Sequence, residues 1–219
     1  MKPQDRTPHH VHKMTAPPSG NVDWRNEGCV NPIQNQGHCG SCWAFSSAGS
    51  MESSSCVASG TEKELLKLSE QQFVDCSKSY GNMGCNGGQY YYAWTYAQTH
   101  GIELESAYPY TEHDGECQYD GSLGKVSTDP AAAYTVVDTN GDLRADNIMS
   151  ALDIKPVSIS VRASSLVFQT YEGGVLTSAL CGWSINHAIM AVGYDADAEE
   201  PYYTVRNSWG DAWGLQGYI

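Results

Sequence analysis

The chain has 219 residues, of which 41% are apolar and 17% charged, and a formal net charge of −13. That size and apolar content suit one compact unit or two small domains sharing a cleft. The acidic balance argues against nucleic acid and anionic membrane surfaces as partners, and no apolar run approaches the length of a membrane-spanning helix.

Eight cysteines are many for this length and point to an oxidising compartment. Residues 1–20 hold Pro3, Pro8, His9, His10, His12, Pro17 and Pro18 without periodicity. They are expected to be a flexible leader, either the end of a pro-segment or the remnant of an added extension. No apolar segment follows the first six residues, so they are not a signal peptide. The chain is therefore expected to be a piece or an engineered form of a longer secreted or lysosomal precursor. No Asn-x-Ser/Thr site occurs, so N-glycosylation is not expected.

Order is expected to begin at Val22-Asp23-Trp24-Arg25. After Gln36-Gly37-His38-Cys39-Gly40, the apolar residues Trp43, Ala44, Phe45, Ala48 and Met51 recur at spacings of three and four. A helix opening at Ser41 or Cys42, running to about Ala58 and stopped by Gly60, follows from that pattern. Cys42 then lies in the first turn, where free N–H groups and the helix dipole favour a thiolate. The spacing of Cys39 and Cys42 alone also reads as a disulfide or half a zinc site, but no second Cys-x-x-Cys follows.

Residues 62–69 read as a linker or turn, and Ser69 as the cap of a short helix that buries Phe73 and Val74 and ends at Cys76. Residues 80–88 are turn-rich. Residues 89–97 read as a helix packed by its aromatics and stopped by Gly101. From about Ala131 short apolar runs alternate with Gly, Asp and Asn. Residues 147–152 suggest a brief helix; residues 156–161, 188–192 and 202–205 read as strands. No internal repeat or low-complexity tract is visible in either half.

A nucleophilic thiolate needs a base that also protonates the leaving group. His187 suits this role better than the others. His9, His10 and His12 lie in the leader, His38 beside the nucleophile, and His100 and His113 in the first half. A third group that orients the imidazole completes a triad, and the amide of Asn207 would serve. Ser208 has no acidic neighbour that would make it a rival nucleophile.

Cys39-Gly40-Ser41-Cys42-Trp43, Cys85-Asn86-Gly87-Gly88, Tyr108-Pro109-Tyr110, Asn186-His187-Ala188 and Arg206-Asn207-Ser208-Trp209-Gly210 together resemble the papain-like cysteine proteases, cathepsin L-like branch. The resemblance covers roughly residues 22–219. It implies an α+β fold of two domains with the active-site cleft between them. A mainly helical domain, residues 21–133, carries the nucleophile. A β-barrel-like domain, residues 134–219, carries the histidine and asparagine, and is expected to be cut short because family members run on past Ile219.

The resemblance implies a catalytic set of Gln36, Cys42, His187 and Asn207, acting through a thioester acyl-enzyme. The amide of Gln36 and the backbone N–H of Cys42 would hold the oxyanion, and activity under acidic conditions is implied. It also implies substrate contacts at Gly40 and Ser41, at Gly87 and Gly88 as an added-strand edge, and at Asn186. Gln89, Tyr90, Ser160, Ile185 and Ala188 would line the pocket for the residue second before the cut. Trp209 would shield the bond between Asn207 and His187 from water, and Trp213 would lie beside it, lining the leaving-group side. That pocket is apolar or neutral, so Leu, Phe or Val is expected there. The histidine-bearing blocking loop of the family's exopeptidases is absent between Cys85 and Cys117, so internal cleavage is expected.

By the same resemblance Cys39 pairs with Cys85 and Cys76 with Cys117. Cys29 and Cys56 are not standard family positions and remain as an extra pair, and Cys181 is expected to be a free thiol. No cofactor or metal is implied. The expected partners are protein or peptide substrates, a pro-peptide or a cystatin-type inhibitor, acting on a monomer in a lysosome or vacuole or after secretion. The alternative is a catalytically impaired relative acting as a binding or structural protein; retention of all four catalytic residue types argues against it.

Overall fold

The computed structural model describes residues 10–12, 20–123, 125–126, 135–137, 145–177 and 184–219. Its elements run β1 (His10–His12), β2 (Asn21–Asp23), α1 (Cys42–Ala58), α2 (Glu70–Cys76), α3 (Tyr90–His100), β3 (Ile102–Glu103) and β4 (Lys125–Val126). They continue with β5 (Thr135–Val137), α4 (Ala145–Leu152), β6 (Val157–Val161), α5 (Leu166–Gln169), β7 (His187–Asp195) and β8 (Tyr202–Arg206).

Helix α1 is the central element because its composition lets other elements approach from all sides. Twelve of its 17 residues are buried, most of them Ala, Ser or Gly, so it is a core helix and not an amphipathic surface one. On one side it packs against α2 and α3, with Trp43, Leu68, Phe73, Val74, Tyr96 and Ile102 in a shared apolar cluster. On the other side its hydroxyls and carbonyls lock onto the sheet. Ser46 Oγ donates to Ile189 O at 2.9 Å, and Ser158 Oγ donates to Ser46 O at 3.0 Å.

The ends of the helices follow local chemistry. Ser69 Oγ accepts from the N–H of Gln72 at 2.9 Å and caps α2. Gly101 terminates α3, its N–H returning to Ala97 O. Ser41 precedes α1 but makes no capping bond; its hydroxyl is engaged elsewhere.

The strand β7 organises the second half. It pairs antiparallel with β6, β8 and β2, with His187 opposite Val161 and Tyr194 opposite Val22. Eight of its nine residues are buried in succession. The run from Ala188 to Val192 is apolar at every position, and burial is equally continuous, because α1 packs against the strand and α4 does as well. A second cluster contains Met149, Leu152, Phe168, Ile189, Ala191, Tyr194 and Val205.

Two strand pairings bear on the expected domain limits. Residues 10–12, within the expected leader, form β1, which pairs parallel with β5, His10 opposite Thr135. Strand pairing is satisfied by backbone groups, which leave no periodic signature in three residues. The start of the folded chain also belongs with the second core, not the helical one. Strand β2 pairs with β7, Val22 and Trp24 pack on the second cluster, and Trp24 Nε1 donates to Leu152 O at 2.7 Å. The expected boundary at residues 133–134 lies outside the described residues.

Disulfides join Cys29 to Cys56, Cys39 to Cys85 and Cys76 to Cys117, with Cα–Cα distances of 5.5, 4.6 and 4.7 Å. All lie within the usual bridging range. They place the chain in an oxidising, secretory-type environment. Cys181 lies outside the described residues.

Candidate active site

Cys42 is the first residue of α1 and the one free cysteine among the described residues. The backbone N–H groups of Ala188 and Trp43 lie against its sulfur and favour the thiolate, but burial is the larger effect and pushes the thiol up. The contact with Ala188 brings the thiol to the residue next to His187, at the start of β7.

His187 is 7% exposed. Its Nε2 lies 2.8 Å from Asn207 Oδ1. That oxygen also accepts from the backbone N–H of Ser208 at 2.8 Å. A backbone N–H only donates, so the amide must turn its oxygen this way. His187 Nε2 therefore carries the proton, and Nδ1 remains as the basic nitrogen. Burial lowers the His187 pKa, and the bond to Asn207 partly opposes that. Thiol and imidazole are thus each driven toward neutrality by burial, so a thiolate–imidazolium state depends on the two charges stabilising each other.

Aromatic rings wall this pair off from water. Trp209 tilts over His187 with centroids 4.9 Å apart. Phe168 meets Trp209 edge-on at 5.5 Å and lies tilted against Trp213 at 5.0 Å, and Tyr171 extends the row at 5.9 Å from Trp213.

Gln36 is buried and held from three sides. Its backbone N–H donates to Ser208 O at 2.8 Å, its Oε1 accepts from Ser208 Oγ at 2.7 Å, and its Nε2 donates to Cys39 O at 3.0 Å. An amide nitrogen has two protons, so one remains for a ligand. Gly40 is needed where it stands. Its N–H donates to Cys85 O at 3.0 Å, and a Cβ would come within 2.5 Å of that oxygen. With the Cys39–Cys85 bond, this clamps the turn before Cys42 to the loop at residues 84–88. A Cβ on Gly88 would meet the Trp43 ring at 2.6 Å, whereas the same space at Gly87 is open.

Of the expected pocket residues, Gln89 and Tyr90 open α3, and Tyr90 Oη lies 3.5 Å from Ser160 Oγ on β6. Ala188 is buried beneath them in the cluster with Trp43. Ile185, three residues before Ala188, is 66% exposed. Asn186 is committed to the backbone, its Oδ1 accepting from the N–H of Ala163 at 2.8 Å. Sequence reading missed Phe168 and Tyr171, which carry no local signal. The sequence offers Ser208 only as a candidate nucleophile, and the Tyr-Pro-Tyr string marks Tyr110 without indicating its role.

The chain matches the family described as papain family cysteine protease over residues 18–219. It is 39% identical over 209 residues to Digestive cysteine proteinase 2 of Homarus americanus, covering 94% of this chain and 62% of that protein. It is 37% identical over 213 residues to the Cathepsin L-like proteinase of Fasciola hepatica, covering 97% and 62%. Among solved structures, the Carica candamarcensis cysteine protease CMS1MS2 in complex with E-64 matches with a TM-score of 0.80 at 39% identity. That match covers 92% of this chain and 88% of the other. The chain spans between 41% and 62% of the length of these and other curated relatives. With the match running over most of the folded chain, the protein belongs to the papain family of cysteine proteases, cathepsin L-like branch, and has that family's α+β fold.

Proposed function

We propose that this chain forms the catalytic part of a cysteine endopeptidase, with Cys42 as nucleophile, His187 as acid and base, Asn207 as orienting group and Gln36 as oxyanion donor. The observation that carries the reading is the Asn207-oriented His187, 2.8 Å from that amide, beside a thiol at the head of a buried helix. The sulfur of Cys42 attacks the peptide carbonyl as its proton passes to Nδ1 of His187. The oxyanion is held by the free proton of Gln36 Nε2 and the backbone N–H of Cys42. His187 then protonates the leaving amine, and a thioester remains on Cys42. Water that gives its proton to His187 attacks the thioester, and collapse releases the acid and restores the thiol.

The cleft in this reading lies between the helical part, to about residue 133, and the β-rich part from 134. The substrate backbone lies along Gly87 and Gly88, with Gly40, Ser41 and Asn186 around the cut. Gln89, Tyr90, Ser160, Ile185 and Ala188 take the residue second before the cut, where an apolar side chain is preferred because none of them is acidic. Trp209 and Trp213 face the leaving group. The partners are peptides, a pro-peptide and cystatin-type inhibitors, bound by a monomer in a lysosome or vacuole or outside the cell. The relatives' names and the E-64 bound to the papaya-type neighbour support this class of ligand.

The test is titration with a thiol-directed epoxide, followed by peptide mapping and a peptide-library cleavage assay. One label per chain on Cys42, with loss of turnover, is expected. An unlabelled Cys42 would favour the impaired relative, and best cleavage after a basic residue at the second position would refute the pocket assignment.

A further inference from the structure

Tyr110 stands outside the reacting set, yet its hydroxyl joins the two segments that supply the oxyanion donors. It donates to Gln36 O at 2.8 Å and lies 2.6 Å from Ser41 Oγ. A phenol has one hydrogen and a carbonyl can only accept, so that hydrogen goes to Gln36, and Ser41 donates to Tyr110. Among the described residues, the only other acceptor the Ser41 hydroxyl reaches is Cys39 O at 3.4 Å. The bonds therefore form a directed chain, Ser41 to Tyr110 to Gln36, in which each member polarises the next.

The tyrosine is itself held firmly. Its ring meets Phe45 of α1 edge-on with centroids 4.8 Å apart, and its backbone N–H donates to Glu105 Oε1 at 2.8 Å. Burial pushes the phenol up to about 12, so it stays protonated over the working range. Ser41 is fully buried, and its hydroxyl does not cap α1, although it occupies the capping position. The capping contact has been given up for the bridge.

We infer that Tyr110 is a positioning residue for the acylation step, setting the separation between the backbone N–H of Cys42 and the side-chain amide of Gln36 through its bonds to Ser41 and Gln36. The inference rests on the proposed protease activity. Ser41 is joined directly to Cys42, and the carbonyl that Tyr110 holds belongs to Gln36 itself. Ser208 holds Gln36 from the sheet side; Tyr110 holds it from the helical side. Oxyanion donors act only when their spacing matches the developing charge.

The test compares two reactions of Cys42 in Tyr110→Phe, which keeps the ring against Phe45 and removes the hydroxyl. Peptide hydrolysis passes through an oxyanion; alkylation by iodoacetamide needs the same thiolate but develops none. The expected result is a fall in kcat/KM of about 10-fold to 100-fold, below the loss for removing a donor outright, with the alkylation rate and its pH profile within about twofold of wild type. Ser41→Ala removes one of the two bonds and should show a smaller loss of the same kind. The two losses should be far from additive when combined, because both act on one chain of bonds. Unchanged hydrolysis in both variants would overturn the inference, and so would an equal fall in hydrolysis and alkylation. If Tyr110→Phe does not fold, Ser41→Ala alone decides by the same comparison. A wild-type protein that neither hydrolyses peptides nor alkylates at Cys42 would instead sink the protease reading, and the inference with it.

Discussion

Asn207 fixes His187 through a single oxygen, which accepts from His187 Nε2 and from the backbone N–H of Ser208, each at 2.8 Å. The second bond gives the first its direction, because it forbids the flipped amide. Asn207→Ala should therefore free the imidazole to rotate and lower kcat/KM by about 10²-fold, the scale of a misplaced reacting group. The bond also raises the His187 pKa against burial. Its loss should move the alkaline limb of Cys42 alkylation to lower pH. A limb that stays in place while kcat/KM falls would separate orientation from charge stabilisation.

The Ser208 hydroxyl donates to Gln36 Oε1 at 2.7 Å and so decides which end of that amide faces the substrate. Gln36→Ala should cost about 10²–10³ in rate. Ser208→Ala should cost less, about tenfold, since the bond from Gln36 Nε2 to Cys39 O survives. The double variant should be no slower than Gln36→Ala alone. Steady-state kinetics on one peptide substrate checks all three, and additive losses would contradict the coupling.

Stability should depend on pH through Glu70. This residue is fully buried at the start of α2, and burial pushes its carboxyl from an ordinary 4.5 up to about 8. Lys67 Nζ, 2.6 Å from Glu70 Oε1, opposes the shift, but it also serves Glu52 at 3.2 Å, and Glu52 and Glu105 add like charge. A raised carboxyl stabilises the fold fully below 4.5, and that contribution is lost as pH rises toward about 8. His187, whose pKa is lowered, acts in the opposite sense, its contribution growing as pH rises through the histidine range. Glu70→Gln should leave the histidine effect intact and shrink the drop in Tm between pH 5 and pH 8. An undiminished drop would exclude Glu70 as its source.

The Cys29–Cys56 bridge ties the far end of α1 to the chain entering it, across a sequence separation of 27. In the chain-entropy view, removing it should cost about 3 kcal/mol of stability. Cys29→Ala with Cys56→Ala should lower the denaturant midpoint while leaving kcat/KM at low temperature close to wild type, because the active site is at the opposite end of α1. A loss of activity without a loss of stability would point to a role in the site.

The sequence by itself determined the features that depend on near neighbours. Small residues before Cys42, the Ser69 cap and Gly101 mark helix ends because capping and termination are settled within one turn, and these helices form where local chemistry places them. The proposed nucleophile, histidine and asparagine stand out in the sequence because their surrounding strings resemble a family whose chemistry demands them. Tertiary structure alone decided what depends on segments far apart in the chain. The burial of β7 on both faces, the membership of Val22 and Trp24 in the second core, and the orientation of Gln36 by Ser208, 172 residues away, come from long-range packing. The bridge from Ser41 through Tyr110 to Gln36 is of the same kind, with 69 and 74 residues between its partners. A hydroxyl in a sequence has several possible partners, and only the packed core leaves it with one.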